Sequence, residues 1–265
     1  MTTQDAFTIG LTYVRTILLK MEGFGLWRTR FLEEIFLLFL GLKGRVNFLQ
    51  LSRYGRLSDK SYRAHFSEEF NFLQFNIEMT NQICSDEKLI GFDPSYISKS
   101  GKATPGVGYF YSGVAGGYKR GLEIGCFSLI DVKQNTAYHL ESIQSPYTDK
   151  KKNEDERLTL IDHYIKILVE RKDEFLGISN ILVVDAYFSK EKYVNAVCEQ
   201  VGMEMICRLR TDANLKYLYN GIQKGGKGRP KKYEGKIDLN NIDRRKIIFV
   251  MEDEEMAIRS ARVYS

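Results

Sequence analysis

The chain has 265 residues, of which 43% are apolar and 28% charged, with 39 Lys and Arg against 34 Asp and Glu and a net charge of +5. This composition excludes a disordered, collagen-like or disulfide-dense protein, and the length allows one large core or two modest ones. The positive balance is too mild to argue for an anionic partner, so the placement of the cations matters more than their sum.

The first residues lack the basic, apolar, small-residue order of a signal peptide. The most apolar stretch, Phe31 to Leu42, contains Glu33 and Glu34 and is too short to span a bilayer. A cytoplasmic protein without membrane attachment is expected. Cys84, Cys126, Cys198 and Cys207 form no CxxC pair and read as buried free thiols of a reducing compartment. His65, His139 and His163 are scattered and suggest no metal cluster.

Residues 1–84 read as a helical region. Phe31, Leu32, Ile35, Phe36, Phe39 and Leu42 recur at helical intervals. A short segment from Val46 to Tyr54 stops at Gly55, and Ser58 is a good N-cap for a third, with Tyr62 and Phe66 one turn apart. Arg45, Arg53, Arg56, Lys60 and Arg63 cluster around these turns. They either grip phosphates or form a solvated basic face.

From Lys88 the period changes. Leu89-Ile90-Gly91-Phe92-Asp93 reads as a short apolar strand ending in a carboxylate. Residues 94–120 are rich in Gly and Tyr and carry Lys99, Lys102, Lys119 and Arg120. This stretch is either a DNA-holding loop whose tyrosines stack on bases or a simple glycine-rich hairpin. Residues 122–130 alternate as a second strand, and Thr136 to Ile143 reads as its antiparallel partner. Asn153 is a plausible cap for a helix with an apolar face of Leu158, Ile161, Ile165 and Leu168, ending near Gly177. Ile181-Leu182-Val183-Val184-Asp185 reads as a strand buried on both faces, again running into an acid. Ser189 is expected to cap a helix closed by Gly202, and Met203 to Leu209 alternates as a further strand.

Desolvating a carboxylate at the end of a buried strand is costly unless a positive charge compensates it, and a divalent cation is the simplest compensator. Asp93 and Asp185 are therefore the candidate metal ligands. Arg208 and Arg210, at the end of the last of these strands, are candidate phosphate contacts on the side of Asp185. Beyond them, Lys216 to Lys246 holds ten cations against Glu234, Asp238 and Asp243. Lys246 to Val250 and Ala257 to Val263 read as a hairpin turning at Glu252-Asp253-Glu254-Glu255.

The order of elements, with one Asp on the first strand and another on the fourth, is that of a ribonuclease H-like fold. Three stretches carry a more specific likeness: Leu89 to Asp93 followed by Gly108-Tyr109-Phe110-Tyr111-Ser112-Gly113; residues 121–130; and Asp185-Ala186-Tyr187-Phe188-Ser189. Together they resemble DDE-type transposases of bacterial insertion sequences. The likeness includes the helical N-terminal part, and it rests on order and spacing rather than on one motif. It implies an α/β fold: a ribonuclease H-like mixed sheet with flanking helices over residues 85–215, preceded by a helical DNA-binding region over 1–84 and followed by a basic β-rich insertion over 216–265.

It also implies Mg²⁺ or Mn²⁺ held by Asp93 and Asp185, cleavage and strand transfer at the ends of a mobile element, and a homodimer on terminal inverted repeats and target DNA near the nucleoid. The family's third acid, a Glu, has no match. Glu252, Glu254 and Glu255 qualify by composition only, and the Glu is expected beyond residue 265, so that this chain would bind DNA but be defective in strand transfer. Gly225 to Lys232 resembles an AT-hook core. Arg229 would enter a narrow minor groove, with Lys227, Lys231 and Lys232 on phosphates; the alternative is a disordered basic loop. Two other readings of the whole chain stay open: a different nuclease of the same fold, and a non-enzymatic DNA-binding remnant of a transposase.

Overall fold

In a computed structural model of the protein, residues 3–21, 23–101, 103–147, 158–210, 212–223, 228–252, 256–261 and 263–264 are described. The chain divides into two compact units, Met1–Val183 and Val184–Ser265.

The first unit opens with five helices: α1 (Thr3–Lys20), α2 (Leu26–Gly41), α3 (Phe48–Tyr54), α4 (Asp59–Phe66) and α5 (Phe72–Thr80). Asn47, Ser58 and Asn71 cap the last three by accepting a backbone N–H three residues on, as such side chains do at N-caps. The apolar face of α2 meets α1 and the short helices in a core of Ile17, Leu18, Met21, Phe31, Leu32, Ile35, Leu51, Tyr62 and Phe75.

Next come β1 (Lys88–Ser98), β2 (Gly108–Ser112), β3 (Gly117–Asp131) and β4 (Thr136–Gln144), then α6 (Leu160–Glu170), α7 (Lys172–Leu176) and β5 (Ile181–Val184). The strands are ordered β2-β3-β1-β5, with β4 also on β3. The fold is α/β, a mixed sheet flanked by helices. Along β3 every second residue, from Gly121 to Asp131, is buried. Helices α6 and α7 cover this face, where the ring of Phe127 lies 4.3 Å from Phe92 and 4.7 Å from Phe175.

The second unit holds a 3-10 turn (Ala186–Phe188), α8 (Glu191–Asn195), a π turn (Ala196–Val201) and β6 (Glu204–Cys207). Gly202 ends the π turn at φ +85°, a conformation that suits glycine. Strands β7 (Lys216–Leu218), β8 (Tyr233–Lys236), β9 (Ile248–Glu252), β10 (Ala257–Ser260) and β11 (Val263–Tyr264) follow. They form an antiparallel three-stranded sheet, β11-β7-β8, and a β9-β10 hairpin.

Several expectations need correction. The first strand does not end at Asp93 but runs on to Ser98, because β3 continues to pair with it as far as Gly121. Ile181 to Val184 alternates between half-buried and buried, so only one face is fully covered. Thr159 caps α6 in a reciprocal capping box with Asp162; Asn153 and the acids after it lie outside the described residues. Ser189 closes the 3-10 turn by donating to the Ala186 carbonyl, and Lys190 takes the cap position of α8. The four thiols are free, but Cys198 is exposed and the other three are half-buried. Among the described residues no helix is long and apolar enough to cross a membrane.

Candidate functional site

Asp93 is exposed in the middle of β1, opposite Cys126 of β3. The residues before it, Ile90, Gly91 and Phe92, are buried. The Sγ of Cys126 lies 3.1 Å from Nδ1 of His139, whose Nε2 is 3.4 Å from the Ser142 hydroxyl. Burial, and then the negative charge of Asp93, push the Cys126 thiol up. Cys126 is therefore a protonated thiol and a poor nucleophile.

Asp185 follows β5 directly and is also exposed. One carboxylate oxygen accepts the Tyr187 N–H at 2.9 Å and starts the 3-10 turn; the other oxygen is not needed for that cap. In the same unit, burial and the charge of Asp185 raise the Cys207 thiol. Lys190 lies 3.8 Å from the centre of the Tyr187 ring, and burial with the charge of Arg210 lowers its pKa. Lys190 and Arg210 are thus close enough to feel each other's charge. Arg208 is exposed and lines a cavity of about 370 Å³ with Lys236 and Asp238. Arg210 is held by Asp212 through two 2.8 Å hydrogen bonds, so a phosphate there competes with a carboxylate already in place.

β1 and β5 are neighbours in the sheet; Asp93 lies within β1 of the first unit, and Asp185 belongs to the second unit. Each exposed carboxylate is by its chemistry a suitable hard oxygen ligand for Mg²⁺, which is commonly bound by one or two carboxylates together with substrate phosphates. No group of three or more His, Cys, Asp and Glu able to hold a metal occurs among the described residues.

The helical region offers a second kind of site. Arg53, Arg56, Lys60 and Arg63 are all exposed on the α3–α4 hairpin. The hairpin is locked from beneath: Oε1 of Glu34 on α2 accepts the Arg56 N–H at 2.6 Å and the Tyr62 hydroxyl at 2.5 Å. Burial and that bond raise the Tyr62 pKa. A Cβ on Gly55 would strike the Tyr62 hydroxyl and come within 2.7 Å of Glu34 Oε1 and 2.8 Å of Leu38 Cδ1, so the turn requires glycine for space. Beside the hairpin, Lys43, Arg45, Asn47, Gln50 and Tyr54 help to line a depression of about 550 Å³. Sequence reasoning finds these cations but misses Glu34, which sits more than a dozen positions away on another helix with no local signal of its role.

The remaining candidates are more constrained than their composition implies. Arg120 donates to the carbonyls of Lys99, Ser100 and Gly101 at 3.0–3.2 Å, while Lys119 is exposed on the other side of its strand. In the AT-hook-like segment Arg229 is exposed, but the Lys231 backbone exchanges two hydrogen bonds with the Gln223 amide, and its Nζ lies 4.7 Å from the Tyr219 ring. The Lys232 carbonyl accepts the Tyr219 N–H. Lys231 and Lys232 are therefore hydrogen-bonded to Gln223 and Tyr219, just beyond β7. Gly225, Gly226 and Lys227 lie outside the described residues, as do Glu254 and Glu255; Glu252 is exposed at the end of β9.

No family model and no curated protein matches this sequence.

Proposed function

We propose that this protein binds double-stranded DNA and carries two of the three acids of a transposase-type strand transferase. Asp93 and Asp185 would hold Mg²⁺ or Mn²⁺ on a ribonuclease H-like sheet, and the α3–α4 hairpin would grip the duplex. The observation that carries this reading is the strand order β4-β3-β1-β5, with an exposed acid on β1 and another directly after β5. It is the arrangement that the likeness to DDE-type transposases leads one to expect. A divalent ion held by Asp93 and Asp185 would supply activation of the attacking water or 3′-hydroxyl and charge stabilisation at the leaving oxygen. The chain's own residues do the rest. Arg53, Arg56, Lys60 and Arg63 bind backbone phosphates, Lys190 and Arg208 offset phosphate charge on the side of Asp185, and the two aspartates supply hard oxygen ligands.

Titration calorimetry with Mn²⁺ tests the metal ligands. Asp93→Asn and Asp185→Asn should each weaken binding by more than the roughly 10- to 100-fold typical of losing an outer-shell partner. Unchanged Mn²⁺ heats in both variants would end the reading. A second reading, DNA binding without chemistry, rests on the exposed Arg53, Arg56, Lys60 and Arg63 of the α3–α4 hairpin, whose phosphate contacts need no metal. Under it, both variants leave gel-shift affinity for DNA unchanged and neither they nor the wild type nick end-bearing DNA in Mn²⁺.

A further inference from the structure

The β2–β3 hairpin carries three tyrosines that the proposed metal and duplex sites do not use. Its register sets Tyr109 opposite Arg120, Phe110 opposite Lys119 and Tyr111 opposite Tyr118. Side chains alternate along a strand, so Tyr109, Tyr111, Tyr118 and Arg120 share one side, with Phe110 and Ser112 on the other. The Phe110 side is seated: Phe110 is 4% exposed, its ring lies 6.3 Å from that of Tyr147, and a Cβ on Gly108 would collide with Tyr147. The tyrosine side is open. Tyr109, Tyr111 and Tyr118 are 60%, 56% and 66% exposed, and the Tyr111 and Tyr118 rings meet edge to face at 5.9 Å.

The charge of this stretch of sequence has one sign. From Pro94 to Leu122 the sequence has four cations, Lys99, Lys102, Lys119 and Arg120, and no acid. The three carbonyls that hold Arg120 are neutral, so they fix its position without cancelling its charge, and they draw the Lys99 backbone toward the tyrosine side. Flat aromatic surface beside the guanidinium of Arg120 matches a ligand with flat faces and an anionic backbone. An uncharged sugar would match the rings only.

The same alternation continues down β3. Its pairing with β1 shows no register shift, so Cys126 and its partner Asp93 face the same side as Arg120 and Tyr118. At about 3.4 Å per residue, Arg120 and Tyr118 stand roughly 20 and 27 Å along the strand from that acid. The distance is too long for contact with the reacting phosphodiester and suits a strand leading away from it.

We propose that Tyr109, Tyr111 and Tyr118 form a stacking platform for the unpaired bases of single-stranded DNA, beside the charge of Arg120. The proposal rests on the DNA-processing reading for the identity of the ligand, but its test needs no metal.

The test is fluorescence anisotropy in EDTA with the full chain. The probe is a labelled mixed-sequence oligonucleotide longer than the roughly 4–16 nucleotides such a surface covers. Tyr109→Ala, Tyr111→Ala and Tyr118→Ala should each weaken single-strand binding by roughly 5- to 150-fold, the range for loss of one stacked base. The matching Phe variants, which keep the ring, should stay near wild type, and duplex binding should not change. Wild type should bind an abasic oligonucleotide of equal charge more weakly than the base-bearing one. This last comparison stands even if an Ala variant misfolds.

Equal affinity for abasic and base-bearing strands, or Ala variants that bind as wild type does, overturns the platform. So does a matching loss of duplex binding in well-folded Ala variants. If the tyrosines matter for single strands while Asp93→Asn and Asp185→Asn change no metal binding, the platform stands and the strand-transferase reading falls. Aspartates that govern Mn²⁺ binding beside indifferent tyrosines give the reverse.

Discussion

The two faces of the sheet treat their polar groups in opposite ways. Under α6 and α7, Glu123 accepts the Tyr164 hydroxyl at 2.5 Å, and the Ser145 hydroxyl is hydrogen-bonded to that Tyr164 hydroxyl at 2.7 Å. All three residues are buried. At the end of β3, buried Asp131 accepts the Ser85 N–H and hydroxyl at 2.7 Å each and the Gln134 N–H at 2.9 Å. On the other face Asp93 is exposed, and His139 and the three hairpin tyrosines are exposed with it. An acid buried among donors is explained by the fold, because burial without them costs several kcal/mol. An acid kept in water on a central strand, directly after three buried residues, is not something the core requires. The division separates the carboxylates that are buried among donors from one that reaches solvent.

The comparison breaks if substitutions on the two faces cost the same. Phe127→Ala on the covered face removes a ring that meets Phe92 and Phe175 and should destabilise by about 3–5 kcal/mol, read from urea melts. Tyr164→Phe keeps the packing but takes a donor from buried Glu123, which should cost about 1–3 kcal/mol. Gly55→Ala applies the same logic to the helical region. Crowding Tyr62 and Glu34 should cost roughly 1–3 kcal/mol and should lower duplex affinity as well, since the lock positions Arg56. A stable Gly55→Ala protein with full duplex affinity would show that the hairpin cations do not depend on that turn.

Much of this division is written in local periodicity, and the rest is not. The alternation of β3, Ile161 and Leu168 on the buried face of α6, the cap at Ser58 and the β9–β10 hairpin are all local patterns, whereas the expected Leu158 lies outside α6 and is exposed, and Tyr164 is buried where Ile165 is only half-buried. The extension of β1 through Pro94 is not local, because its partner residues lie beyond a glycine-rich stretch and proline argues against a central strand. Strand β2 was hidden by the same glycines. The capping roles went to Thr159 and Lys190 rather than Asn153 and Ser189, since several polar residues precede each helix and only tertiary packing selects among them. The aspartates themselves were legible as strand-associated acids. Their exposure was not, because an apolar run cannot say which of its ends reaches solvent.

The pH dependence sharpens the contrast further. Burial alone would raise the Asp131 carboxyl, but hydrogen bonds from Ser85 and Gln134 hold it below its ordinary value of 3.8. A carboxyl depressed on folding contributes stability above its unfolded pKa and loses it as the pH falls through the folded one. The stability difference between wild type and Asp131→Asn should therefore be widest above pH 3.8 and close below it. A gap that stays constant on acidification would mean that the Ser85 and Gln134 bonds do not favour the ionised form.

The smallest expected effect is the most discriminating one. Asp93→Asn should change unfolding free energy by no more than about 0.5 kcal/mol, as for an ordinary surface substitution. It should still alter its neighbour. The Cys126 thiol is raised first by burial and second by the charge of Asp93. Removing that charge should move thiol reactivity to lower pH without returning it to that of a free cysteine, because burial persists. Cys126→Ser in the same background should abolish the shifted component, which separates it from Cys84, Cys198 and Cys207. A destabilisation near 2 kcal/mol would make Asp93 a structural acid like Glu123, and the contrast between the two faces would fail at the residue that matters most to it.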